Sequence, residues 1–177
     1  MMSDIAHYTN YIESLASEHR NQSFLNSSKE HAITVLSTMF KYADPKKFIY
    51  IYSGDMNKGI ADSTEYTSNL TSYLSKGGKV KILLESHDPN NEPRILKKLR
   101  VFKEIGLDVE VKQTGTRIYD TDTNKTLHFA VTDKAHRAEH DIDNFLAVGN
   151  FNDTEKSNIL IKVFEDVYAK ESNRAVI

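Results

Sequence analysis

The chain has 177 residues, 39% hydrophobic and 27% charged, with no cysteine and a formal net charge of −2. That is the composition of one globular domain; it excludes disulfides, thiolate nucleophiles and cysteine-ligated zinc, and it suits a reducing, cytoplasmic setting. The near-neutral charge argues against indiscriminate polyanion binding, and the lysines clustered at 76–81 and 97–103 read as solvated helix faces, with a local basic patch as the other reading.

The opening MMSDIAHYTNYIESL has no basic, apolar leader, and no stretch approaches the roughly 20 apolar residues of a membrane span. Residues 4–19 place Ile5, Tyr8, Ile12, Leu15 and Ala16 on one helical stripe, so residues 1–25 are expected to form a helical arm ahead of a single domain over 26–177. Asn26, Ser27 or Ser28 caps a second helix, with Glu30 in capping-box position after Ser27. That helix carries Ala32, Ile33, Leu36, Met39, Phe40 and Ala43 inward and ends before Asp44-Pro45. Phe48–Tyr52 is a buried strand that stops at Ser53-Gly54-Asp55.

Residues 62–76 form a third helix with Ser63 as its cap and Tyr66, Leu70, Tyr73 and Leu74 inward, closed by Gly77-Gly78. Val80–Leu84 is a second buried strand. A fourth helix over about 92–105 holds Ile95, Leu96, Leu99, Phe102 and Ile105, and Val109–Val111 is a third strand. This alternation implies parallel pairing with crossover helices. Short strand candidates follow at 117–119, 127–132, 137–141 and 145–148 and imply antiparallel hairpins. A last helix from Asn152 or Asp153 carries Ile159, Leu160, Val163, Phe164 and Val167. The expected fold is α/β, a mixed sheet with parallel core strands, a C-terminal antiparallel hairpin and helices on both faces.

Ligands of open α/β sheets sit beyond the carboxyl ends of the parallel strands. The loop Ser53–Gly59 offers small donors and Lys58 there, without the lysine-serine ending of a P-loop. Along 127–132, alternation sends Leu127, Phe129 and Val131 to the core and His128, Ala130 and Thr132 to the opposite face. On the return strand Arg137, Glu139 and Asp141 share a face. A carboxylate such as Glu139 near His128 would orient the imidazole as nucleophile or proton donor. A charged, half-exposed hairpin is the plainer reading of the same pattern.

A histidine on a strand, a hairpin turn, and an apolar strand ending in Gly149-Asn150-Phe151-Asn152 before a helix resemble the phospholipase D superfamily, whose motif is H-x-K-x-x-x-x-D followed by G-S-x-N-F. The resemblance loosely covers residues 28–170 and implies metal-free chemistry: a histidine attacks phosphorus while lysine and asparagine hold the phosphate oxygens. On this resemblance His128 matches the nucleophile, Asn152 the asparagine, and Asn150 replaces the serine. Ala130 stands where the family has lysine, Asp133 comes two residues early, and Asp153 occupies the phenylalanine position. Lys134, Arg137 or Lys58 would have to supply the missing charge, with Ser53 as a further phosphate donor. The motif occurs once, so activity would need a homodimer with both His128 residues near the two-fold axis.

A rival match by letters is His136-Arg137-Ala138-Glu139-His140, the H-x-x-E-H zinc-hydrolase pattern. It requires a helix; on a strand the two histidines would stand about 13 Å apart. The sequence therefore reads as a degenerate phospholipase D-like domain that binds a phosphate-bearing ligand, such as a phosphodiester or nucleic acid, or a partner protein. The alternative is a metal-independent phosphodiesterase or nuclease, and zinc hydrolysis is remote. No cofactor or metal is expected.

Overall fold

The computed structural model describes residues 1–177. One eight-stranded mixed sheet runs through it. Its centre is Phe48–Ser53 (β2), Lys79–Leu84 (β3) and Asp108–Gln113 (β4), paired in parallel in that order. β2 and the Ile82–Leu84 half of β3 are buried on both faces, which is why they read as apolar runs, while Lys79 and Lys81 alternate with Val80 where β3 is half-buried. On the other side of β2, His128–Val131 (β5), His136–Asp141 (β6) and Leu146–Asn150 (β7) form an antiparallel meander. Phe24–Asn26 (β1) and Arg174–Ala175 (β8) close the two edges.

Helices cover both faces. On one side Asp4–Ser17 (α1), Lys29–Tyr42 (α2), Thr64–Ser75 (α4) and Arg94–Glu104 (α5) bury a core that includes Ile12, Leu15, Val35, Phe40, Leu70, Leu74, Leu96 and Leu99. On the other, Thr154–Tyr168 (α6) sets Leu160, Phe164 and Val167 against Tyr50, Tyr52, Phe129 and Val131. The spacing of these residues is the one that puts a single helix face on a sheet.

Several boundaries differ from the sequence reading for local reasons. Ser28, not Ser27, caps α2, its hydroxyl accepting from His31 N–H, so Glu30 takes no capping-box role. The short helix Lys58–Ala61 (α3) fills what reads as plain loop. Residues 117–119 are not a strand; Tyr119 makes one isolated bridge to Thr126. Ile105 and Ile159 point to solvent rather than inward, because each falls off the buried stripe of its helix. β1, unforeseen in the sequence, lies so close over Gly149 that any Cβ there would clash with the Phe24 ring. That contact accounts for the glycine of the Gly-Asn-Phe-Asn run.

Candidate functional site

The register of the sheet creates one row of facing residues. Asn26 of β1 stands opposite Ala147, Ala147 opposite Glu139, and Glu139 opposite His128. This end of the meander coincides with the carboxyl ends of β2 and β3, because β5 runs antiparallel to β2 and Tyr52 pairs with Phe129. His128 is therefore at the sheet edge where α/β proteins place their ligands. Its ring packs on Gly54, where a Cβ would come within 3.3 Å of Cε1.

The carboxylate that engages His128 is Glu85, just past the end of β3. Its Oε1 lies 3.2 Å from His128 Nε2 and accepts the Tyr52 hydroxyl at 2.6 Å. The Tyr52 oxygen in turn accepts the Ile118 N–H. Burial, reinforced by the Glu85 hydrogen bond, raises the Tyr52 phenol well above its ordinary range and keeps it a donor. The chain Ile118–Tyr52–Glu85–His128 thus fixes the imidazole from one side and leaves Nδ1 without a protein partner.

Glu139 has a different role from the one the alternation suggests. Its Oε2 accepts Arg137 Nη2 at 2.6 Å, and Arg137 Nε donates to Asn26 Oδ1 at 2.7 Å. All three side chains are buried. Asn26 is held by its own donations to the Phe145 and Ser28 carbonyls. Ala130, directly opposite Arg137, is sealed in the main core with Ile51 and Leu36. A small cavity of about 80 Å³ lies between these groups, with His128, Arg137, Glu139 and Ser53 on its wall. Ser53 faces it from the end of β2, its hydroxyl accepting the Met56 N–H.

The structure thus brings His128, Glu139, Arg137 and Ser53 together. It does not bring Lys134, Asn150 or Asn152 to them. β7 runs parallel to β5, with β6 between, so the Gly-Asn-Phe-Asn run follows the end opposite His128; Asn150 sits across from His136, and His136 across from Val131. Asn150 Oδ1 accepts the Asn152 N–H, and Asn152 Nδ2 donates to the His19 carbonyl. Asn150 Nδ2 donates to Asn21 Oδ1, so both asparagines tie the segment after α1 to this end of the sheet. Lys134, in the β5–β6 turn, lines a separate cavity with His19 and Asp44. Lys58 starts α3 and donates to the Asn91 side chain.

The zinc-hydrolase pattern is not on a helix. Residues 136–141 form β6, so Glu139 faces His128 while His136 points to the opposite face, where Nε2 lies 3.2 Å from Asp153 Oδ2. The glutamate and the histidines of the pattern cannot share one ion. Glu85 and Tyr52 are the residues sequence reasoning did not assign to the site. Their signal was positional: both sit where a central parallel strand ends, and only strand order shows that β5 arrives beside them.

No protein-family model and no curated protein matches the chain. Solved structures do. An archaeal chromatin protein, TrmBL2, described as showing a novel mode of DNA binding, aligns at TM-score 0.61 and 14% identity over 97% of this chain; the chain spans 62% of that protein's length. Nuc from Salmonella typhimurium, a phospholipase D family member, aligns at TM-score 0.53 and 13% identity over 87% of this chain and 98% of its own. Polyphosphate kinase from Porphyromonas gingivalis aligns at TM-score 0.52 and 12% identity, covering 89% of this chain and 25% of the kinase. At such identities the likeness is one of architecture, and the architecture is that of a phospholipase D-like α/β domain.

Proposed function

We propose that the chain is a non-catalytic phospholipase D-fold module that recognises a phosphate-bearing ligand or partner through its surface, rather than hydrolysing a phosphodiester at His128. The observation that carries this reading is the fate of positive charge around His128. The motif lysine is replaced by the core residue Ala130, and the nearby cation, Arg137, is held between Glu139 and Asn26 inside the protein. A phosphodiester at His128 would meet Glu85 and Glu139 with no cation at the motif position beside the histidine. Exposed Arg117, whose charge is felt at Tyr52, is left as the unpaired cation on this side. One charge against two carboxylates is the reverse of the electrostatics that stabilise phosphoryl transfer.

The second reading, a metal-independent phosphodiesterase working as a homodimer, draws support from one feature: the His128–Glu85 pair has the geometry of a carboxylate-oriented imidazole. The two readings separate on covalent chemistry. Incubation with an activated aryl phosphodiester in EDTA, followed by intact-mass measurement at neutral pH, is expected to show unmodified protein. A phosphoryl adduct that maps to His128 would establish the second reading.

A further inference from the structure

A dense cluster of basic side chains lies away from His128, on α5. Within Arg94–Glu104 there are five basic side chains, Arg94, Lys97, Lys98, Arg100 and Lys103, against the single acid Glu104, in a chain whose overall charge is −2. Arg100 is taken by Glu92. Lys97, Lys98 and Lys103 are exposed, and the Arg94 side chain is 80% exposed with a loose 3.8 Å approach to Asp62.

This basic face borders a groove of about 580 Å³ between α4 and α5. The α4 wall is a ladder of hydroxyls, among them Thr64, Ser68, Thr71 and Ser72; the α5 wall carries Arg94 and Lys98. Asp62 is the one acidic residue in the lining, and it is already committed. α5 has no capping side chain of its own at Pro93, and Asp62 Oδ1 and Oδ2 accept the Ile95 and Arg94 N–H groups instead. The groove thus presents the Thr64 and Ser72 hydroxyls as donors on one side, Ser68 and Thr71 already donating to the Glu65 and Thr67 carbonyls. Lys98 and Arg94 stand on the other, and the single Asp62 charge is partly offset by the α5 N–H groups and Arg94. From Thr64 to Ser72 the hydroxyl wall extends about 12 Å at helical rise, long enough to follow several consecutive phosphates of a strand.

We infer that the α4–α5 groove binds the phosphodiester backbone of a nucleic acid, with Arg94 and Lys98 neutralising phosphates and the α4 hydroxyls holding their oxygens. Hydroxyls and cations without aromatic platforms position a backbone and carry no base readout. This deepens the phosphate-recognition part of the proposed function and stands apart from whether His128 is inert.

The test is fluorescence anisotropy with short labelled single-stranded DNA, single-stranded RNA and duplex DNA over a salt series. The wild type is expected to bind at least one of them. Removing a cation that neutralises one phosphate should lower the salt slope by about 0.7 for a single strand or 0.9 for a duplex. Arg94→Gln/Lys98→Gln should therefore weaken binding about tenfold and flatten the slope by about twice that amount. Thr64→Ala/Ser72→Ala should weaken binding at unchanged slope. Lys162→Gln, an exposed charge on α6 across the sheet, should leave affinity near wild type. Circular dichroism of each variant separates loss of binding from loss of folding. No binding to any probe would overturn the inference, as would an equal loss in Lys162→Gln, since binding would then be diffuse. Stronger competition by inorganic polyphosphate than by oligonucleotide, at equal phosphate concentration, would overturn the nucleic-acid assignment. Hydrolysis of the probes would bear on His128 and leave the groove result to be read independently.

Discussion

Arg137 and Ala130 decide the character of the His128 pocket. A buried cation held by one carboxylate and one amide is stable only while both partners remain. Arg137→Met should leave Glu139 desolvated and unpaired and cost about 3–5 kcal/mol in urea denaturation. Arg137→Met/Glu139→Leu should recover much of that, because the penalty comes from an uncompensated buried charge rather than from the missing hydrogen bond. Reinstating the motif lysine by Ala130→Lys would push an ammonium among Ile51 and Leu36 beside an existing guanidinium. The expected result is destabilisation by about 2 kcal/mol or more, measured the same way, with no gain of phosphodiester cleavage.

At the scale of elements, the loop after β3 is fixed from below. Glu92, its side chain 3% exposed, takes both Arg100 guanidinium nitrogens and sits 2.7 Å from His87 Nε2. The Arg100 hydrogen bonds, helped by His87, hold the Glu92 carboxyl down to about 2. A carboxylate whose folded pKa is depressed contributes stability above its unfolded value and loses it as pH falls towards the folded one. This contribution should therefore erode between the ordinary glutamate range and about pH 2, and Glu92→Gln should remove that part of the acid transition and destabilise the protein at neutral pH. His136 behaves with the opposite charge. Burial lowers its pKa despite Asp153, and Nδ1 has no partner. An unfolded histidine protonates first, so stability is complete above pH 6.5 and declines as pH drops below it. Urea midpoints at pH 7 and pH 5 should differ in the wild type, and His136→Leu should reduce the difference.

The same elements show what could be read from the chain alone. Period-two alternation put His128 and Glu139 on one face, and their direct pairing follows from the short Asp133-Lys134 turn. The parallel core was legible because Phe48–Tyr52 and Ile82–Leu84 are apolar runs closed by turn residues. The pairing of His128 with Glu85, 43 residues away, was not, since it depends on β5 docking beside β2. The Gly-Asn-Phe-Asn letters misled for a topological reason: two strands follow β5 before that run, which carries the asparagines to the far end of the sheet. β1 has three residues, too few for any period to show, yet it supplies Asn26 to Arg137.

Over the whole molecule, chemistry and charge are separated. One end of the sheet holds an imidazole and a guanidinium, each paired with its own carboxylate; a cluster of exposed cations lies on α5, against hydroxyls rather than against a nucleophile. Fold likeness to a nuclease-containing family does not transfer activity across such a rearrangement. A module of this kind should show no phosphodiester turnover at His128. The most direct measurement is hydrolysis of bis(p-nitrophenyl) phosphate in EDTA by wild type and His128→Ala, both verified as folded. The expected result is no turnover above buffer in either protein. Turnover by the wild type that disappears in His128→Ala would contradict a non-catalytic role and place an active phosphodiesterase on this fold.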